Sequence, residues 1–576
     1  MIILGVGFLT DASACVLIDG KLVSAISEER LNRVKQWHGI PRAAIQEVLG
    51  IAGVSIDEID CIATHGLCAS APDTRPFDEK EKAISASELP EDIKIEQIHN
   101  LKKRFEHEKD VFSNRTPAYL DEIRRFGKPL KVVGHHEAHA ASAYYGSGWD
   151  DCYVLTMDGW GEDGSSTISI GDKGRLELVA RSSSIDSMGY FYGSITKSLG
   201  FIPERHEGKV LGLAAYCRAP KSYPVIRSMI DYDSSRNSFV GRMERGLYVP
   251  RFNNSRLSDF VKKYDREDVS AAAQKSLEEV VLDCVRNLDP KRKRIALAGG
   301  VFANVKLNQR ILEAKNIDEV YVFPNMGDGG LSVGAAWLTY FRETGRRPMP
   351  VSNVYLGSEF SDREIGNALR ESGLKHEFRK DIQNETARLL AEGEIVVRFH
   401  GRMEYGPRAL CHRSILCQAT DPSVNKWLND RLKRSEFMPF APVTLAEEAS
   451  RFYLGIEGGR EAARYMTMTF DCTPEMLQES PAAVHVDHTA RPQIISAMDN
   501  PDMHAILTEY RRLTGRSSLI NTSFNMHEEP IVSSVDDALK AFRESTLPYM
   551  AIENVLVTND TVLNAREGVA VHRRTL

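Results

Sequence analysis

An α/β architecture of several lobes is what this sequence predicts, and three observations predict it. Two segments share one design: "IILGVGFLTDASACVLIDGKLVSAIS" near the start and "CYVLTMDGWGEDGSSTISIGDKGRLELVARS" at 152–182 each run apolar strand, Asp- and Gly-rich turn, second strand. Asp-Gly between apolar runs is the strongest short-range hairpin signal, and its recurrence suggests two related α/β lobes. The stretch "RKRIALAGGVFANVKLNQRILE" at 292–313 is an apolar strand, a Gly-Gly turn and an amphipathic helix, which sets backbone N–H groups and a helix N-terminus against a potential anion. Finally, "RETGRRPMPVSNVYLGSEFSD" at 342–362 breaks the composition with Pro, Gly and Arg. The chain beyond it has strands of its own, "EIVVRFHGRM", "SSLINTSF" and "AIENVLVTND", enough for an independent α/β core.

Length supports the partition. A chain of 576 residues exceeds a single hydrophobic core, and at roughly 150 residues per domain three or four folding units are expected. The expected domains are 1–345, a linker at 346–362, and 363–576. Between the two hairpins, "DEKEKAISASELPEDIKIEQIHNLKKRFEHEKD" at 78–110 is densely charged in both signs and reads as a solvated helical insertion reaching to about residue 125. A lid over a substrate is the alternative.

Composition excludes several classes. A net charge of −7 with 27% charged and 42% hydrophobic residues describes an ordinary globular chain without the basic excess that nucleic-acid binding requires. No apolar run approaches the roughly 20 residues that span a bilayer, so no membrane partner is expected. The opening "MIILGVGFLTDASACVLIDG" lacks a basic n-region and reads as strand and turn, which places the protein in the cytoplasm. Nine cysteines without a C-x-x-C pair argue against a disulfide framework and a thiolate zinc site.

The chemistry-bearing residues fall into two groups. In "GHHEAHAASAYY", His135 and His139 are four apart, so on a helix they share a face while His136 points elsewhere. Imidazole favours iron, zinc, copper or nickel over magnesium. Asp158 in "LTMDGWGED" and Asp328 in "PNMGDGGLSVGAA" each follow an apolar run in a Gly-rich turn and could complete a site, although a pair of hydrogen-bonded helix histidines satisfies the same spacing. The second group is C-terminal: Arg402, Arg408 and Arg413 around a Gly-Pro turn, then Lys433, Arg434, Arg491, Asn521, Thr522, Ser523 and Asn525. Guanidinium forks match phosphate oxygens and a lysine adds a compact charge, so these residues suggest an anion pocket; surface salt bridges are the other reading. A zinc-protease assignment fails because His136, not a glutamate, follows the first histidine.

Taken in order, "DASACVLIDGKLVSAISEERLNRVK", "HHEAHAASAYY", "MDGWGE", "HEGKVLGLAAY", "AGGVFAN", "GDGGLSVGAA", "GRMEYGPRAL", "MPFAPV", "TARPQ" and "NTSFN" resemble the O-carbamoyltransferase family of nodulation-factor and antibiotic biosynthesis over nearly the whole chain. The resemblance implies a duplicated actin-like, sugar-kinase-like ATPase fold, in the variant shared with threonylcarbamoyl-transfer proteins. An α+β carbamoyl-adenylate-forming (YrdC-like) domain follows. It implies formation of carbamoyl adenylate from carbamoyl phosphate and ATP, with Mg(II) accompanying the ATP, and transfer of the carbamoyl group to a hydroxyl of a small-molecule acceptor. By motif, His135, His139, Asp158 and Asp328 would hold a metal, expected to be Fe(II) or another divalent ion. Arg408, Lys433, Arg491 and Asn521 would bind carbamoyl phosphate, with Thr522 and Ser523 beside them and Arg434 reaching the same phosphate. Lys35, Gly208, Lys209, Gly300 and Asn304 would surround the adenylate in the N-terminal lobe.

Two departures stand out. Many members of the family carry a histidine in the first hairpin where this chain has Thr10, which cannot act as a base at neutral pH. Asp11, His38 or His136 would then take that role, or transfer relies on positioning and metal. In "KRSEFMPFAP", one residue shorter than the commoner form, Met438 stands where an arginine is usual. The hydrogenase-maturation carbamoyltransferase is disfavoured because its C-x-x-C motifs are missing. A sugar-kinase-like ATPase leaves the histidine pair and the C-terminal arginines unexplained, and a non-catalytic nucleotide-binding relative has only Thr10 in its favour. The acceptor and the oligomeric state stay open, a homodimer among the options.

Overall fold

A computed structural model describes residues 1–66, 71–162, 164–433 and 437–563. The chain divides into two compact units: Met1–Ala25 with Trp37–Val351, and Ile26–Gln36 with Ser352–Leu576.

The first unit contains one sheet plan twice. Strands β1 (Ile2–Gly7), β2 (Ser13–Ile18), β3 (Lys21–Ser27), β4 (Cys61–Gly66) and β5 (Leu130–Gly134) form a sheet in the order β3-β2-β1-β4-β5. Next along the chain come β6 (Asp151–Gly161), β7 (Gly164–Asp172), β8 (Arg175–Ser183), a small hairpin of β9 (Ile230–Asp233) and β10 (Ser238–Gly241), then β11 (Arg294–Ala298) and β12 (Glu319–Val322). The second sheet runs β8-β7-β6-β11-β12, so both read third, second, first, fourth, fifth. In each, the first three strands pair antiparallel and the last two join in parallel. That repeated order is the duplicated actin-like, sugar-kinase-like fold. The near-continuous apolar runs of β1 and β11 are buried on both faces, as strands with parallel neighbours require.

Each fifth strand leads into a helix: His135–Ser147 after β5 and Leu331–Thr344 after β12. The first is made of small residues, with Ala138, Ala140, Ala141, Ser142, Ala143 and Gly146 all buried, so it can run deep in the core. The second approaches it so closely that a Cβ on Gly334 would lie 1.9 Å from the Ala138 carbonyl oxygen. The charged insertion folds as helices Arg75–Ser85, Glu91–Asp110 and Thr116–Arg124, with a π-helical turn at Val111–Arg115 between the last two. One face of it is buried rather than solvated: Lys80, Gln97, Arg104 and Glu108 are 9% exposed or less.

The second unit is α+β. Strands β13 (Lys375–Phe378), β14 (Val396–Phe399), β15 (Arg413–Gln418), β16 (Ala441–Leu445), β19 (Gln493–Ile495), β20 (Ser518–Ser523), β21 (Tyr549–Ile552) and β22 (Val555–Thr558) make one mixed sheet, ordered β13-β22-β21-β14-β15-β20-β16-β19. A two-stranded piece of β17 (Phe470–Asp471) and β18 (Thr489–Ala490) stands apart. Helices Ile382–Ala391 and Pro501–Thr514 pack together with the sheet around Leu390, Val396, Leu416, Val443, Met503, Leu507 and Leu519. Among the described residues no helix is long and apolar enough to cross a membrane.

Candidate metal centre and anion pocket

The helix that opens at His135 starts on Gly134, whose N–H donates to the Glu137 carboxylate at 3.1 Å. Its first turn therefore presents His135 and His139 on one side. Opposite them, the pairing of β6 with β7 slips between Met157 and Gly161, and the bulge turns Asp158 out of the ladder. Asp328 begins the short turn that leads into Leu331–Thr344.

These four side chains meet. His139 Nε2 lies 3.0 Å from Asp158 Oδ2 and 3.4 Å from Asp328 Oδ1; His135 Nε2 lies 3.6 Å from each of those oxygens. One donor atom from each residue falls within 4.8 Å of all the others. His135 Nε2 and Asp328 Oδ1 are buried without a hydrogen-bond partner, a costly state for polar atoms. Burial, followed by the adjacent Asp158 and His135, dominates the Asp328 carboxyl, and the net effect holds it well above the usual carboxylate range. Two half-buried carboxylates side by side resist joint ionisation unless a cation sits with them. Two imidazoles, two carboxylates and orphaned donor atoms thus suit a divalent transition metal.

Neighbouring groups fix the ligands. His65, at the end of β4, is 1% exposed, stacks on Phe8 with ring centres 4.5 Å apart and meets the edge of His135 at 5.4 Å. Its Nε2 lies 3.1 Å from the Phe8 carbonyl oxygen, and burial drives its pKa well below the ordinary value, so it is a neutral ring that orients His135. The His135 backbone N–H donates to Glu162 Oε1 at 2.8 Å. Sequence reasoning missed His65: a lone histidine closing "CIATHG" carries no signal until Phe8 and His135 are brought to it.

The three candidate bases are placed differently. His136 turns away from the cluster, with Nδ1 2.9 Å from Thr156 Oγ1, and burial then the neighbouring histidines depress its pKa well below normal. His38 is exposed, with its ring 6.3 Å from that of Tyr119, and partial desolvation then Arg115 lower its pKa. Asp11 sits in the β1–β2 turn at φ +52°, and its charge is among those that raise Asp328.

Of the residues expected around an adenylate, Gly300 adjoins the cluster: a Cβ there would meet Asp158 Oδ1 at 3.1 Å. Gly208 and Lys209 lie in the first turn of the helix Glu207–Ala214; Gly208 faces open space and Lys209 is buried. Beside them, burial pushes the Glu207 carboxyl up to about 7. Asn304 caps the helix Val305–Leu312 through the Leu307 N–H at 3.0 Å and donates to Gln274 Oε1 at 2.8 Å. Lys35 lies in Ile26–Gln36, the segment that clusters with the second unit and not with the N-terminal lobe.

In the second unit, Asn521 on β20 is the hub. Its Nδ2 donates to Gln493 Oε1 at 2.7 Å and to the Ala409 carbonyl at 3.2 Å, and its Oδ1 is buried without a partner. The amide thereby joins the loop of Arg408 to the strand two residues past Arg491. Glu404 Oε1 accepts from the N–H groups of Leu410, His412 and Arg413 at 2.7, 2.8 and 3.0 Å, which curls that loop. Thr522 and Ser523 continue β20, paired with Ile415 and Ser414. Lys433 is exposed at φ +56°, and Arg434 lies outside the described residues.

Two of the three clustered arginines are committed to the fold itself. Arg413 is fully buried, donates to the carbonyls of His400 at 2.7 Å and Gly401 at 3.1 Å, and lies 3.7 Å over the Phe399 ring; burial pushes its pKa down to about 10. Arg402 donates to the Leu356 and Gly357 carbonyls at 2.7 and 3.3 Å. Backbone carbonyls hold these two guanidiniums, which the sequence groups with Arg408 in a suggested anion pocket.

Sheet topology and the His/Asp cluster define an actin-like-fold protein with a candidate metal centre, joined to an α+β unit. The chain belongs to the carbamoyltransferase family. The model for the carbamoyltransferase N-terminus matches residues 2–337 and that for the carbamoyltransferase C-terminus matches residues 387–559. Nodulation protein NolNO of Sinorhizobium fredii is 30% identical over 569 residues, spanning 96% of this chain and 80% of that protein. An uncharacterised protein of Methanocaldococcus jannaschii is 32% identical over 459 residues, with 75% and 74% covered. Nodulation protein NolO of Bradyrhizobium diazoefficiens is 31% identical over 441 residues, with 74% and 78% covered. Among solved structures, full-length HypF in its phosphate- and nucleotide-bound form is similar over 60% of this chain and 47% of that one, at 14% identity and a TM-score of 0.33, too distant to add to the topology. The protein is a carbamoyltransferase.

Proposed function

We propose that the second unit forms carbamoyl adenylate from carbamoyl phosphate and ATP, and that the first unit passes the carbamoyl group to a hydroxyl of a small-molecule acceptor. The observation that carries this reading is the Asn521 amide, which draws the Arg408 loop and the strand after Arg491 together in a chain of net negative charge. Carbamoyl phosphate is doubly anionic and labile, and guanidinium forks in a poorly hydrated pocket both neutralise it and shield its product from water.

One water molecule hydrolyses carbamoyl phosphate, its oxygen ending in carbamate or phosphate as the carbamoyl–phosphate linkage breaks and its protons leaving with the products; a carbamate oxygen then attacks the α-phosphorus of ATP and displaces pyrophosphate. At the first unit the acceptor oxygen attacks the carbamoyl carbon, AMP departs with the electrons of the broken bond, and the acceptor proton passes to a base. Asp11, in the hairpin turn beside Thr10, is the candidate base this reading favours, because His136 is buried and turned to Thr156. His135, His139, Asp158 and Asp328 would hold the metal; their nitrogen and oxygen donors suit a divalent transition ion, and iron(II) is the one that the family resemblance implies. Bound there, a divalent ion supplies Lewis-acid polarisation of carbonyl or phosphate oxygen. Lys209, Gly208 and Gly300 would receive the nucleotide, with Mg(II) accompanying ATP.

The test is carbamoyl-phosphate-dependent exchange of labelled pyrophosphate into ATP without acceptor. Wild-type protein should exchange, and Arg408→Ala should lose at least about a hundredfold of that rate, the cost of about two lost charge-assisted hydrogen bonds. No exchange in folded wild-type protein would refute the proposal.

A further inference from the structure

The charged insertion reaches the metal cluster, and the structure assigns Arg104 of its helix Glu91–Asp110 as a positioning residue for the loop that carries Asp158. The inference rests on reading His135, His139, Asp158 and Asp328 as metal ligands.

Arg104 is 3% exposed and Glu108 1%. Its Nε donates to Glu108 Oε1 at 2.7 Å and its Nη1 to the Tyr190 hydroxyl at 2.7 Å. The guanidinium lies 4.6 Å from the Trp160 ring centre and 4.8 Å from that of Tyr190, and His107 of the same helix stands 5.6 Å from the Trp160 ring. Trp160 is two residues after Asp158. Its indole N–H donates to the Glu162 carbonyl, and the Glu162 side chain receives the His135 N–H. Tyr190 belongs to the helix Met188–Ser198, whose capping Ser187 Oγ donates to the Asp158 carbonyl at 3.2 Å. Arg104 therefore holds Trp160, two residues past Asp158, and Tyr190, from the helix whose cap bonds the Asp158 carbonyl.

The loop needs such support. The register of β6 against β7 shifts between Met157 and Gly161, so the regular ladder is interrupted at residues 158–160 and bonds from outside the hairpin bear on them. The insertion also touches the other side of the cluster: Tyr119 stacks on Phe8 at 5.3 Å, Phe8 on His65, and His65 meets His135. A buried ion pair adds little net stability over apolar residues of similar volume. What Arg104 adds is direction: a planar cation fixed between two rings.

Outer groups that orient metal ligands typically change affinity about 10- to 100-fold when removed. The experiment titrates Co(II) into the full-length protein and follows its visible absorption, comparing wild type with Arg104→Met/Glu108→Leu and with Tyr190→Phe. The double variant removes both buried charges together, so its thermal midpoint should stay near that of wild type while Co(II) binds about 10- to 100-fold more weakly with an altered spectrum. Tyr190→Phe should weaken binding several-fold. Wild-type affinity and spectrum in a folded double variant would overturn the proposal. If the double variant does not fold, unchanged Co(II) affinity in Tyr190→Phe would overturn it, and a wild-type chain that binds no Co(II) would do the same. Co(II) binding does not require adenylate formation, so failure of pyrophosphate exchange would sink the function proposed above and leave this comparison standing.

Discussion

Gly161→Ala is a one-carbon change whose effect can be worked from the structure. A Cβ at this position would stand 2.2 Å from His135 Cδ2 and 2.5 Å from Cγ. Carbon atoms settle at about 3.5 Å or more, so the imidazole has to retreat by roughly 1.3 Å, while metal sites tolerate displacements of only about 0.2 Å in their donor distances. His135 then ceases to be a ligand. Loss of one of four donors should weaken binding by about 100-fold, or about 2.8 kcal/mol at about 1.4 kcal/mol per tenfold, and crowding the core should lower stability by about 1–3 kcal/mol. Gly159→Ala, two residues away, is the control: nothing lies within 4 Å of its Cβ position and its backbone is not left-handed. Calorimetric titration with Fe(II) under anaerobic conditions should give near-wild-type affinity for Gly159→Ala and the large loss for Gly161→Ala. Equal affinity in Gly161→Ala and wild type would refute both the assignment of His135 as a ligand and the steric reasoning behind it.

Two further predictions concern pH. Burial raises Glu207 from 4.5 to about 7, so between those values the folded protein keeps a proton that the unfolded chain has released, and stability falls as pH climbs through that range. Glu207→Gln should remove that slope, gaining up to about 3 kcal/mol above pH 7 and nothing below about pH 4.5; parallel urea-unfolding curves for the two proteins across pH 4 to 8 would contradict it. In the second unit, His400 is clasped between Asp502 at 3.2 Å and Glu553 at 2.9 Å. Burial alone would lower its pKa, but the two carboxylates raise it, while His400 holds Asp502 low and, against the effect of burial, lowers Glu553. The raised histidine contributes fully below about pH 6.5 and loses its contribution as pH rises through its folded value, whereas the lowered carboxylates contribute above about pH 4.3. His400→Gln should cost about 2 kcal/mol near pH 6 and flatten the alkaline limb of urea unfolding; an unchanged limb would show that the clasp does not titrate there.

The parts of this protein legible in its sequence are those whose signal is local. Asp-Gly turns between apolar runs mark the hairpins, and a four-residue spacing puts His135 and His139 on one helix face. The sequence also marks Asp158 and Asp328 as carboxylates in Gly-rich turns after strands, and the structure brings all four together. What escaped depends on distant partners. Arg104 and Glu108 look like solvated charges because their own neighbours are charged; only Trp160 and Tyr190, more than fifty residues on, reveal that they are buried. Arg413 looks like a phosphate ligand because nothing nearby tells that the carbonyls of His400 and Gly401 will claim it. The excursion of Ile26–Gln36 into the second unit is equally silent. Arg30 donates to the Gly406 carbonyl at 2.6 Å, and Arg33 to those of Pro530 and Ile531 at 2.7 Å each, bonds between segments hundreds of residues apart.

Duplication explains why the cluster forms where it does. The helix after the fifth strand of the first copy begins at His135 and presents His139 one turn later; the short turn before the corresponding helix of the second copy begins at Asp328. The bulge that precedes the hairpin turn of the second copy supplies Asp158, and the β1–β2 turn of the first copy holds Asp11 at φ +52°. Four equivalent corners thus face one point, two from each copy, and the close approach of the two helices at Gly334 and Ala138 brings them together. Three corners supply the ligands. The fourth carries a carboxylate whose charge reaches Asp328 without belonging to the ligand set. On the function proposed above, that corner, beside Thr10, is where a base for the acceptor hydroxyl belongs.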